Sequence, residues 1–327
     1  MPWDSLRRRL ANTGRGRGRV LGIIYVLLAF AAVCSIGVPG FLNVGNFLNI
    51  GLQGSTLLIL SLGMTFAIAS RGIDLSVGAV LSLAGVVMGF LLQSGASLPL
   101  AIAAGVGTGA VCGTINGTLI GYGRLNAFIA TFGMYGMASS IALVLSNGTS
   151  IAGFPPELLY IGSGQILGLP IPLLIGTVAL LAMFYLQRYT RFGTWVFAIG
   201  DNEEAALLTG VPVKRQKLLI YALCGLLAGI GGAVLGGRMN SAHPTVGLGM
   251  EFDAIAAVVV GGTPFSGGEG GVGRTLVGAL IISILRNTLN LLGLPTSWQI
   301  FATGLAIIVS ISIETQLSRR QAAAGGS

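Results

Sequence analysis

The chain has 327 residues, 53% hydrophobic and only 9% charged, against about 25% charged in an ordinary soluble domain. So few ions cannot cover a water-facing surface of this size, whereas a lipid-facing surface excludes them. The net charge of +8 would favour nucleic acid in a soluble protein, but here the cations lie between apolar runs and no nucleic-acid partner is expected.

Ten apolar runs follow in order, at roughly 20–39, 51–70, 75–93, 97–122, 126–147, 169–187, 217–237, 251–263, 274–293 and 297–315. Most approach the ~20 residues that span a bilayer as a helix. The first follows Arg7, Arg8, Arg9, Arg15, Arg17 and Arg19 and is longer than the core of a cleavable signal, so a retained helix is expected. The eighth is too short to cross alone and is expected either as a half-helix or as a segment extending into Met250 and Thr263 with non-helical ends. Starting inside, this layout puts sixteen of the eighteen Lys and Arg residues on the inner side, leaving Arg238 outside and Arg286 within a span. The expected fold is an all-α integral membrane protein of about ten transmembrane helices, some short or broken, with both termini cytoplasmic. Its parts are a basic arm at 1–19, one transmembrane domain at 20–315 with an inner loop near 188–216, and a tail at 316–327.

Glycine numbers 53, roughly twice the usual share. Gly105, Gly109, Gly113, Gly117 and Gly121 recur every fourth residue and predict one groove along the fourth run. Gly225, Gly229, Ala233 and Gly237 predict the same in the seventh. Cys34, Cys112 and Cys224 all fall in apolar runs without metal-ligand spacing and read as small hydrophobes.

Catalytic chemistry is hard to place. Lys214 and Lys217 are the only lysines and neither follows glycine, so no phosphate-binding GxxxxGK[ST] loop exists. The stretch Gly261–Gly271 imitates one but reads better as a mobile or tightly packed connection. His243, the single histidine, has no nucleophile motif beside it. No metal site or cofactor is expected in this chain, and it is not expected to be an enzyme.

The inner loop carries more. Asp201 is placed to cap a helix, with Glu204 as its capping-box partner. Glu203 and Glu204 would sit at the positive end of the helix dipole, and Gly210 followed by Pro212 would stop it. A helix of about two turns follows, inert on the surface or serving as a lever for another protein.

These residues resemble a known family. Glu204-Ala205-Ala206, three residues and Gly210 look like the EAA-x-x-x-G loop of ABC importer permeases, although Ala222-Leu223 stand where Leu-Pro is usual. Ser70-Arg71-Gly72-Ile73-Asp74-Leu75-Ser76-Val77-Gly78 resembles GG-I-D-L-S-V-G of the ribose/xylose/galactose-type permeases, with Arg71 in place of a glycine. Asn116-Gly117 and Asn126 to Thr131 resemble NG…P-A-F-I-x-T, with Asn126 for proline, and Glu251 to Thr263 resembles E-x-D-A-I-A-x-V-V-x-G-G-T.

The resemblance implies the permease subunit of a binding-protein-dependent importer that moves a pentose or hexose by ATP-driven alternating access. It implies ATPase subunits that hold ATP and Mg, a periplasmic or extracellular sugar-binding protein, and a second permease, identical or similar. The setting would be lipid, in a bacterial inner membrane. Glu203, Glu204, Ala205, Ala206 and Gly210 would meet the ATPase, with Arg188 and Arg191 beside them or merely setting topology. Asp74, Ser76, Asn116, Glu251 and Asp253 would line the path or its gate; capping is the commoner role for Asp74, interhelical bonding for Asn116. Glu157, Arg238 and His243 would face the binding protein. A branched-chain amino acid permease and an ion-gradient-driven secondary transporter are the competing readings, the latter disfavoured by the few mid-span acids.

Overall fold

The computed structural model describes residues 21–324. The basic arm with its six arginines lies outside the described residues, as do the side chains of Arg319 and Arg320. Thirteen helices are present among the described residues: α1 (Leu21–Gly37), α2 (Val44–Ala69), α3 (Val77–Gln93), α4 (Leu98–Gly121), α5 (Ala127–Leu145), α6 (Pro156–Ser163), α7 (Ile171–Tyr189), α8 (Arg191–Asp201), α9 (Glu203–Leu208), α10 (Val213–Met239), α11 (Met250–Val260), α12 (Val272–Leu291) and α13 (Thr296–Ala324). Two short antiparallel pairings complete the fold, β1 (Ile151–Ala152) with β4 (Ser241–Ala242) and β2 (Gln165–Ile166) with β3 (Leu169–Pro170).

Every apolar run holds a helix. Six of these, α2, α4, α5, α7, α10 and α12, are long and apolar enough to cross a membrane. α11 has 11 residues, the expected half-helix. α13 continues past the expected boundary at 315 to Ala324. The inner loop is more structured than the sequence reading had it: α8 fills its first half, burying Gly193, Val196, Ile199 and Gly200 at helical spacing.

α2 is the axis of the bundle. Every residue from Ser55 to Ala69 is buried, so the helix is sheathed on all sides. Its hydroxyls bond within the helix, Ser61 to the Leu57 carbonyl and Thr65 to that of Ser61. Thr65 also meets Thr275 of α12 at 2.6 Å, a polar tie between helices in an apolar setting. Asn43 starts α2 by accepting from Gly45 N.

α4 and α10 lie antiparallel along the glycine groove. A Cβ on Gly109 would stand 2.9 Å from the Gly229 Cα, and one on Gly113 2.9 Å from the Gly225 Cα. One on Gly117 would stand 2.6 Å from the Leu218 Cα, so backbone meets backbone for most of the groove. One end diverges from the groove, where Gly105 faces Ala84 and Met88 of α3 and Gly237 faces Leu158 and Gly162 of α6, while Gly121 at the other end still meets Lys214 of α10.

Two connections turn back into the interior. Residues 70–76 lead from α2 into α3, and residues 240–249 lead from α10 into α11. The second packs on the first turns of α3, where the Gly247 N–H donates to Ser82 Oγ at 2.8 Å. A Cβ on Gly247 would strike the Gly78 carbonyl, and one on Gly78 the Gly247 carbonyl.

Candidate functional site

A cavity of about 820 Å³ opens among α2, α10, α11, α12 and α13. Its wall includes Gln53 and Thr56 of α2, Arg238 of α10, Asp253 of α11, Ser283, Arg286, Asn287 and Asn290 of α12, and Gln299 and Thr303 of α13. Helical spacing gathers the α12 residues, since 283, 287 and 290 lie on one face with 286 beside them. Arg286 pairs with Asp253. Asn287 Nδ2 donates to Asn46 Oδ1 at 2.8 Å, which fixes its amide. Thr56 Oγ1, Arg238 Nη1, Arg286 Nε and Asn287 Oδ1 of the wall are buried with no hydrogen-bond partner among the described residues. Such groups each cost about 1–3 kcal/mol unless something bonds them. Donors and acceptors are both represented, which suits a small polyhydroxylated or zwitterionic solute.

The cavity lies at the end of the bundle where α2 begins and α10 ends; α9 lies at the other. Between them the interior is dry. From Leu57 to Ala69 on α2 and from Ala254 to Val259 on α11 every residue is buried, and most are aliphatic.

Asp74 is buried in the first re-entrant connection. It is not the N-cap of α3; that residue is Ser76, which makes no capping bond. Asp74 Oδ1 instead accepts from Ser76 N at 2.9 Å and Ser76 Oγ at 2.6 Å. Asn116 of α4 donates to the same hydroxyl at 2.9 Å. Thr131 of α5 accepts from Leu75 N at 3.2 Å. Asp74, Ser76 and Asn116 therefore form a relay that pins the connection to α4, away from the cavity wall. Asp74→Ala is expected to lower the melting temperature, at a cost of about 1–3 kcal/mol, because two buried donors of Ser76 lose their acceptor. Asp74→Asn keeps that acceptor and should melt near wild type; thermal unfolding in detergent measures both.

Glu251 and Asp253 have separate fates. Glu251 is buried and folds back on the Gly249 N–H at 3.0 Å, capping α11. Asp253, two residues on, reaches the cavity. Among the three residues expected at an outer docking face, Glu157 and His243 are exposed. Arg238 differs: its side chain lines the cavity wall, while its backbone packs on Gly162 of α6.

At the opposite end, Asn202 caps α9, accepting from Ala205 N at 3.0 Å. The expected cap, Asp201, is the last residue of α8. Glu203 is engaged by Lys217 at 2.7 Å, and Glu204 makes no capping box. Gly210 ends the helix with φ of 85°, as expected of a left-handed stop. Ala206 points inward against Ile199, Val211 and Val213. Glu204, Ala205, Leu207 and Leu208 point outward, with Leu208 88% exposed. Leu207 and Leu208 leave an apolar outward face on this short helix.

A family model described as the branched-chain amino acid transport system permease component matches residues 46–311. The ribose import permease of Escherichia coli (strain K12) is 38% identical over 297 residues, covering 90% of this chain and 92% of that protein. The chain belongs to this ABC importer permease family. The ribose import permease of Bacillus subtilis (strain 168) is 41% identical over 300 residues, 91% of this chain and 93% of that one. The D-allose transport system permease of Escherichia coli (strain K12) is 33% identical over 300 residues, with 91% and 92% covered. No solved structure matches. With relatives of this kind and six helices able to cross a membrane, the permease is a multi-pass membrane protein and a transport component.

Sequence reasoning had noted Arg286 without assigning it, and missed Asn287, Asn290, Gln299 and Thr303 of the permease wall. A signal was present: polar residues inside apolar runs at one helical face. Leu207 and Leu208 were missed because an apolar residue beside an EAA motif reads as core.

Proposed function

We propose that the permease moves a monosaccharide across a bacterial inner membrane as the spanning subunit of an ATP-driven importer. The observation that carries this reading is the cavity with its unpartnered Thr56, Arg238, Arg286 and Asn287 atoms. Sugar hydroxyls both donate and accept, which matches the mix of donors and acceptors on this wall. The ribose and D-allose relatives support a pentose or hexose. About ten crossings with both ends cytoplasmic fit the distribution of cations. α9 would seat in a separate ATPase that holds ATP and Mg, through Glu204, Ala205, Leu207 and Leu208. A sugar-binding protein would dock at the opposite end, near Glu157 and His243, and a second permease would complete the pore. In this scheme Arg238 and Asp253 bind solute, while Asp74, Ser76 and Asn116 hold the gate connection in place.

The test is uptake into proteoliposomes containing the permease, its ATPase and its binding protein. ATP-dependent uptake of a labelled pentose or hexose is expected. Gly210→Trp should abolish uptake and solute-stimulated hydrolysis together, because Gly210 closes α9 with a backbone that tryptophan adopts only under strain. Uptake that persists without ATP but collapses with an uncoupler would replace this reading with a gradient-driven one. Uptake of leucine in preference to sugar would instead support the branched-chain amino acid reading, for which Asp253 and Arg238 on one cavity wall would suit a zwitterion.

A further inference from the structure

Arg71 follows the end of α2 with φ of 60°, a left-handed backbone that costs a non-glycine residue about 1 kcal/mol or more. Glycine would adopt this backbone without strain, so what the arginine adds here is its side chain. Its Nε donates to the Ser266 carbonyl at 2.6 Å, and its Nη2 to the Asp201 carbonyl at 2.8 Å. Asp201 ends α8, and the next residue is the cap of α9. Ser266 lies in the connection between α11 and α12. One guanidinium thus bridges three segments: the end of α2, the root of α9, and the connection between two helices of the cavity wall.

The surroundings leave no slack. Gly268 N donates to the Ala69 carbonyl at 2.9 Å. A Cβ on Gly200 would strike that same carbonyl and stand 2.5 Å from Gly268 N. The guanidinium is planar with its N–H groups at fixed separation, so holding both carbonyls fixes their relative position. Solvent exposure weakens these two charge-assisted bonds, so they do little more than offset the strained backbone. The strained backbone and the modest bonds therefore point to a mechanical use.

We propose that Arg71 is a transmission strut: it carries displacement of α9 to α2 and to the α11–α12 connection, the elements whose other ends form the cavity wall. This rests on the ATPase-contact reading of α9 above. The test compares wild type, Arg71→Gly and Arg71→Lys in proteoliposomes with the ATPase and the binding protein. The quantities read are sugar taken up per ATP hydrolysed and the melting temperature of the assembled complex. Arg71→Gly relieves the backbone and should assemble and melt as wild type, while uptake per ATP falls about fivefold or more. Arg71→Lys keeps the charge, cannot span both carbonyls, and should fall with it. Unchanged uptake per ATP in Arg71→Gly overturns the strut and leaves the transport reading standing. Loss of assembly or melting temperature in step with uptake also overturns it, in favour of a merely structural role. A wild-type complex that hydrolyses ATP without ATP-dependent uptake overturns the transport reading, and the strut with it.

Discussion

Gly109→Leu is expected to prevent the permease from accumulating as a folded protein, whereas Gly107→Leu, two residues away on the same helix, should be tolerated. The difference is geometric. A Cβ at Gly109 would stand 2.8 Å from Gly229 N and 2.9 Å from its Cα, atoms of a backbone that cannot rotate aside. A Cβ at Gly107 meets nothing within 4 Å. One extra methyl forced into a packed interior costs about 1–3 kcal/mol, so a leucine exceeds that and separates α4 from α10. Gly109→Ala should already lower the melting temperature, while Gly107→Ala should match or exceed wild type through its better helix propensity. Yield after detergent extraction and thermal unfolding by near-UV circular dichroism decide it. Equal behaviour of the two sites would mean that α4 and α10 do not touch along this groove.

Asp253→Ala is expected to abolish uptake and to cost about 3 kcal/mol, the low end for breaking a buried ion pair. The low end applies because the Arg286 side chain keeps 32% of its surface while Asp253 keeps 3%, so the orphaned cation still faces the cavity. Removing both charges, Asp253→Ala with Arg286→Met, should restore most of the stability without restoring uptake. That split separates a solute contact from a structural pair, since a merely structural pair would recover both together. Uptake in the double variant at the wild-type rate would remove the pair from the path.

The helices were legible because lipid leaves a strong mark: long runs without charge, cations at one set of ends, small residues at period four. α8 was not, although Gly193, Val196, Ile199 and Gly200 stand at helical spacing. Eleven residues are too few to span, and a segment already assigned to a connection hides a short helix. The cap of α9 was misplaced by one residue because Asp201 and Asn202 are both good caps, and only backbone geometry chooses Asn202. The cavity was legible in fragments. Asp253 and Arg286 stood out singly, but five helices had to be packed before they met. Asp74 went the other way: the sequence offered helix cap or path, and the fold uses its carboxylate to hold Ser76.

The dry interior between the cavity and α9 has an electrical consequence. On α2 it runs from Leu57 to Ala69, about 18 Å at 1.5 Å per residue. An ion in that stretch would lose its hydration shell and find chiefly aliphatic neighbours in return, at a cost of many kilocalories. In the conformation seen, this stretch of α2 would bar ions, so they would find no easy route along it through a copy idling in the membrane.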